Sequence, residues 1–411
     1  MSSIPADERV YWVPYRALTR YMETSELTTL ARVNRRFKES VFERSSPFTV
    51  EIRHTEEGIS LCRTFANVRL SIWEPNPLSR MGLGTPESVP MTEENFIRYS
   101  NTLTDSGLAP LSRNLTALNL SHDNTVTDAG LAVLTRLETL NLTYNETITD
   151  DGISGLGLTS LNLFKSGKIT DRGVSLLVNL TKLDLTDNDV VTDDGIKGLV
   201  GLTSLELSHN KMISDVGIKG LVGLTSLNLW QTTRIGDAGV SGLVGLTSLN
   251  LLGVTLVTDE GLRHLTRLTC LNLCHTKGIT DVGLSRLTGL TSLILSHNDE
   301  ITDEGLVSLT QLTKLDLTGN TKITDLGLRR LTRLRWLNLM GNEVITDEGI
   351  RELVGLTWLE IRNCTKITDA GISSLVELRT LLIWKNRGIT RAGLAPLIHV
   401  RVDPEELADP A

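Results

Sequence analysis

The sequence predicts an α/β solenoid, a curved parallel sheet backed by short helices, on three observations. Asp-x-Gly recurs at Asp105, Asp128, Asp150, Asp171, Asp193, Asp215, Asp237, Asp259, Asp281, Asp303, Asp325, Asp347 and Asp369, with Arg391 in the fourteenth place. Apart from early steps of 23 and 21 residues the spacing is 22 throughout. An L-x-L pair of strand period, such as Leu205 and Leu207, precedes each step. Eleven of the 17 aromatic residues lie in the first 100 positions, so an irregular N-terminal part is followed by a uniform array. A fixed period in this range marks stacked units that share one core.

In chain order, residues 1–45 carry apolar residues at helical spacing (Leu27, Leu30, Ala31, Val33, Phe37, Val41), with Ser25 placed to cap a helix. Read from the residues alone, this is a helical module that shields the first repeat. Residues 46–100 contain two alternating stretches, Phe48–Ile52 and Val68–Ile72, that read as strands of degenerate first repeats. Pro75, Pro77, Pro86 and Pro90 with Gly82 and Gly84 then mark a long insertion over 73–100. The array runs from 101 to 402, and residues 403–411 form an acidic tail.

Within a unit such as LTSLELSHNKMISDVGIKGLVG (202–223) each part has a physical task. The two leucines of L-x-L face inward from a short strand. Asn at the following turn (Asn145, Asn188, Asn210, Asn298, Asn320, Asn342, Asn386) bonds backbone groups that no ladder satisfies. Thr-Asp opens a short helix, where a hydroxyl or carboxylate caps free N–H groups. Thirteen such strands at ~4.8 Å make a concave sheet roughly 60 Å long.

The formal charge of −8 argues against a general nucleic-acid or anionic-membrane binder. Four cysteines are too few for a disulfide scaffold and fit a reducing compartment. The N-terminus lacks a signal-peptide pattern, and no apolar run approaches the ~20 residues of a membrane span. No phosphate loop, nucleophile elbow or kinase signature occurs, so no catalytic residue, cofactor or enzyme activity is expected. His275 and His297 sit in adjacent units beside Cys274, but repeat duplication explains their positions and no metal-ligand spacing supports a metal site.

The L-x-x-L-x-L-x-x-N pattern identifies these units as leucine-rich repeats. The I-T-D-x-G-L segment resembles the cysteine-containing subclass of F-box/leucine-rich-repeat proteins, with a shorter unit and with Cys364 alone keeping that subclass's cysteine. Tyr21-Met22-Glu23-Thr24-Ser25-Glu26-Leu27, with Leu30, Val33, Arg35, Arg36 and Phe37, resembles the second half of an F-box, and Val13-Pro14 stands where that family has Leu-Pro. The resemblance implies that Val13, Pro14, Leu27, Leu30, Val33 and Phe37 dock on a Skp-type adaptor. It further implies a substrate-recognition subunit of an SCF-type (cullin–RING) ubiquitin ligase, in the cytoplasm or nucleus of a eukaryotic cell, which is a host cell if the source is a bacterium or virus. The alternative is a non-enzymatic scaffold whose N-terminus is only a cap.

A target protein would meet the outward positions of T-x-L-x-L-x. All five Phe and Trp residues of the array occupy them. Trp336 and Trp358 fall side by side in the first row, while Met340, Arg362 and Trp384 run along the third, with a cation expected over an indole. Phe164 and Trp230 make a weaker second patch.

Overall fold

A computed structural model describes residues 48–51, 68–72, 104–113 and 115–402. The helical module of 1–45, with Val13, Pro14, Leu27, Leu30, Val33 and Phe37, lies outside the described residues, as do the insertion over 73–100 and the tail over 403–411. The chain divides into two compact units, residues 1–184 and 185–411.

In the first unit, strands β1 (Phe48–Glu51), β2 (Val68–Ile72), β3 (Leu115–Asn119), β4 (Thr139–Asn141), β5 (Ser160–Asn162) and β6 (Lys182–Asp184) pair in parallel, each with the next. The register shifts once, between Leu70 and Ser71, where β2 meets β3. The second unit continues the rule with β7 (Ser204–Glu206), β8 (Ser226–Asn228), β9 (Ser248–Asn250), β10 (Cys270–Asn272) and β11 (Ser292–Ile294). Then follow β12 (Lys314–Asp316), β13 (Trp336–Asn338), β14 (Trp358–Glu360), β15 (Thr380–Leu382) and β16 (Arg401–Val402). Parallel strands need a crossover, and here a single helical turn supplies it, such as Asp215–Ile218 or Asp303–Leu306.

Each unit buries the same set. Leu202, Leu205, Leu207, Ile213, Ile218 and Leu221 are all 1% exposed or less, against their counterparts in the neighbouring units. No unit could bury that set alone. The turn asparagine closes the backbone account. Asn210 Nδ2 donates to the carbonyls of Leu185 (3.1 Å) and Asn188 (2.9 Å) in the preceding unit, and its Oδ1 accepts the N–H groups of Met212 and Ile213. Cys364 holds the same place, fully buried, and its thiol donates to the Leu339 carbonyl at 2.7 Å. Burial pushes that thiol up to about 11, so it stays protonated.

The recurrent Asp requires a correction. It is the first residue of its helix, not the cap, and its carboxylate reaches forward into the following unit. Asp303 Oδ1 accepts the N–H of Thr324 at 2.7 Å, and its Oδ2 accepts the Thr324 hydroxyl at 2.6 Å. Thr324 is the actual N-cap, its oxygen accepting from the Leu326 N–H. A Cβ on Gly327 would lie 2.5 Å from Asp303 Oδ1, which explains why Thr-Asp-x-Gly is inherited as one block. The glycine makes room for the previous unit's aspartate, and the threonine holds it. Arg391 opens the final described helix, Arg391–Leu394, after which no described helix needs an anchor. Asp150 shows the electrostatic balance in the first unit. Burial pushes its carboxyl up, but Thr170 and Arg172 outweigh that and hold it below the usual range.

Candidate functional site

Outward positions form rows across the sheet of the second unit because its strands β7 to β16 pair each with the next in one constant register. In the second unit the first row reads Ser204, Ser226, Ser248, Cys270, Ser292, Lys314, Trp336, Trp358, Thr380 and Arg401 along successive strands. The middle row is Glu206, Asn228, Asn250, Asn272, Ile294, Asp316, Asn338, Glu360 and Leu382.

The middle row is partly a structural row, which the sequence did not reveal. Asn338 Oδ1 accepts the N–H of Met340 at 2.9 Å, and Asn228, Asn250 and Asn272 accept in the same way two residues on. Each such bond turns the chain out of its strand. The third residue after the asparagine then enters the left-handed region, as at Gln231 (φ 54°), His275 (φ 55°) and Gly341 (φ 65°). Polar positions read as a uniformly exposed ladder are therefore partly folded onto the backbone; Ser208 is 5% exposed and Asn272 7%.

Aromatic side chains break this pattern. Trp336 and Trp358 stack face to face with centroids 4.3 Å apart and planes 8° apart. Lys314, their neighbour in the row, places its Nζ 4.5 Å from the Trp336 centroid. Both indoles remain partly exposed. In the third row Met340 and Trp384 are exposed, at 38% and 40%. The cation over the Trp384 ring is Lys385, 4.1 Å from its centroid. Arg362, expected to take the cationic role, forms an ion pair with Glu360 (3.4 Å). Glu360 is itself 7% exposed. Burial and the nearby Asp316 raise its carboxyl above the usual range, against the opposing pull of Arg362. Lys314 and Lys385 are thus members of the aromatic patch that sequence reasoning missed. The available signals were Lys314 one repeat before Trp336 in the same row, and Lys385 immediately after Trp384.

Phe164 and Trp230 belong to different compact units, and each has its own surroundings. In the first unit Tyr144 stacks on His122 (4.6 Å) and meets Phe164 edge-on (5.2 Å), with Lys165 Nζ 5.4 Å from both rings. In the second unit Trp230, 38% exposed, packs edge-on against His209 at 4.6 Å. His275 and His297 stack with centroids 5.0 Å apart. Among the described residues no three His, Cys, Asp or Glu side chains come together to hold a metal ion. Cys270, Cys274 and Cys364 are free thiols, the first exposed and the others buried.

Leucine-rich-repeat family models match residues 288–330 as two copies, and residues 111–135, 133–157, 177–200, 202–222 and 332–354 as single repeats. No curated protein sequence matches the chain. Among solved structures, the chain is similar to an internalin (InlF) from Listeria monocytogenes, with a TM-score of 0.54 and 24% identity over 76% of this chain and 92% of that one. It is also similar to a chain of the mouse RP105/MD-1 complex, with a TM-score of 0.51 and 23% identity over 64% of this chain and 48% of that one. The repeats are leucine-rich repeats, and the fold is the leucine-rich-repeat solenoid.

Proposed function

We propose that this chain is a non-enzymatic protein-binding scaffold that holds a target protein on the sheet face of its second unit. We also propose that residues 1–45 dock it, through a Skp-type adaptor, to a cullin. It is then the substrate-recognition subunit of an SCF-type ubiquitin ligase, acting in the cytoplasm or nucleus of a eukaryotic cell, its own or a host's. The observation that carries the target half is the Lys314–Trp336–Trp358 stack. Large apolar side chains that no core demands are held in one geometry on an otherwise polar face, and preorganised aromatics with flanking cations are what interface hot spots use. Val13-Pro14 with Leu27, Leu30, Val33 and Phe37, placed ahead of I-T-D-x-G-L units, supports the adaptor half.

Capture from eukaryotic lysate tests both halves. Full-length chain is expected to co-purify a Skp-type adaptor and cullin, and deletion of residues 1–45 to lose both while the array still melts cooperatively. A chain that captures a target but no adaptor, at concentrations where a known F-box protein does, reduces the reading to a scaffold with a helical cap.

A further inference from the structure

Within the second unit, cationic side chains on the sheet face are gathered at one end. From Thr203 to His297 the five strand segments, each taken from the residue before the strand through the left-handed turn, carry a single charged side chain, Glu206. The described residues of the remaining segments, to Val402, carry six cations, Lys314, Arg335, Arg362, Arg379, Lys385 and Arg401, against two carboxylates, Asp316 and Glu360, with Asp403, Glu405 and Glu406 following in the tail. Glu360 is already paired with Arg362. The same region holds Trp336, Trp358 and Trp384, so a cationic, aromatic patch stands out on a chain of net charge −8. Two of the cations replace a regular feature. Threonines before the strands hydrogen-bond from unit to unit, Thr225 to Thr203, Thr247 to Thr225 and onward to Thr313, at 3.0–3.1 Å. Arg335 and Arg379 stand in that line where the tryptophans begin, and both are exposed.

We infer that this patch binds an acidic peptide segment of the target protein, with one large apolar side chain against the Trp336–Trp358 edges and carboxylates meeting Lys314, Arg379, Lys385 and Arg401. The inference rests on the proposed target face and names the chemistry that face selects. Strands β12 to β16 span ~19 Å at ~4.8 Å each, so about six extended residues cross them. Nucleic acid fits less well. Lys314 and Trp358 occupy the two faces of Trp336 that a base would stack on, and Asp316 and Glu360 lie along the middle row where phosphates would run. Charge complementarity of this kind sets orientation and partner choice, and weakens with salt.

The test is selection of a displayed random 12-residue peptide library on the full chain. Recovered peptides are expected to combine an excess of Asp and Glu with an aromatic or large aliphatic residue. Their affinity should fall at least tenfold in the combined variant Lys314→Glu, Arg379→Glu, Arg401→Glu, at least tenfold in Trp358→Ala, and severalfold in the unaltered chain between 0.05 and 0.5 M salt. Binders without acidic excess, acidic binders indifferent to the charge reversals and to salt, or no binders at all would overturn the inference. So would a 12-residue oligothymidylate that competes with the recovered peptides, or binding that appears only after residues 403–411 are removed. A lysate partner lost on Trp358→Ala but unaffected by the charge reversals leaves the proposed target face standing and sinks only its acidic specificity.

Discussion

Strands β7–β11 and β12–β15 of the second unit share one core and display different surfaces. Both stretches bury the inward residues of L-x-L to 3% exposure or less. Both close turns with asparagine, at Asn210 and Asn298 in one and Asn320, Asn342 and Asn386 in the other, Thr232, Val254, Thr276 and Cys364 holding the remaining places. The outward first row is Ser, Ser, Ser, Cys, Ser in one stretch and Lys, Trp, Trp, Thr in the other. The difference teaches that this repeat separates its two tasks by residue position. Inward leucines, turn asparagine and the Thr-Asp-x-Gly block determine that the unit stacks. The outward first row carries none of that burden, unlike the middle row with its asparagine bonds, and was open to change where β12–β15 gathered cations and indoles.

If the core is common to both stretches, damaging it should cost the same in each. Asn210→Ala and Asn320→Ala each remove a buried amide whose partners then lack a hydrogen bond. Each should cost ~1–3 kcal/mol, while Ser226→Ala on the outward row stays within ~0.5 kcal/mol. Denaturant melts check this, and losses at the two asparagines differing by more than their errors would break the comparison. A smaller effect sharpens the role of the inter-unit aspartate. Asp303→Ala should cost ~1.5–2.5 kcal/mol, because it removes two charge-assisted hydrogen bonds to Thr324. Arg391→Asp at the final described helix should shift stability by less than ~1 kcal/mol, that position having no described following unit to anchor.

The smallest effect concerns the surface that differs. Glu360 has a raised carboxyl, so the folded chain holds its proton more tightly than the unfolded chain does. Its contribution to stability is therefore unfavourable above the folded value. That penalty is relieved as pH falls through the folded value, and the relief is complete below the ordinary glutamate value. Glu360→Gln should be at least as stable as the parent at pH 7, with the advantage shrinking as pH falls toward 4.5. Urea melts across that range read the slope, and a variant less stable at pH 7 would show that the pairing with Arg362 outweighs burial.

The period, the strand leucines and the turn asparagine were legible because each is a local pattern whose physical task is the same wherever it recurs. The placement of the tryptophans on the outward rows was legible because no Phe or Trp of the array occupies any other position. The aspartate was misread as a cap for a clear reason. Its type and place suit a cap of its own helix, while its actual partner lies about 21 residues ahead, brought to hydrogen-bond distance only by stacking. Glycine at the third place of Asp-x-Gly has the same explanation, since the atom it avoids belongs to the preceding unit.

What the sequence by itself determined is the repeat, its inward set and the outward rows, all of which follow from a strand period of two and a unit period of 22. Which neighbours meet across those rows only the tertiary structure decided. Lys385 rather than Arg362 covers Trp384, Lys314 covers Trp336, and Arg362 pairs with Glu360. Register is set by the backbone ladder, which the repeat dictates. A buried charge needs a partner, and the Glu360 carboxylate, 7% exposed, has one in the Arg362 guanidinium at 3.4 Å.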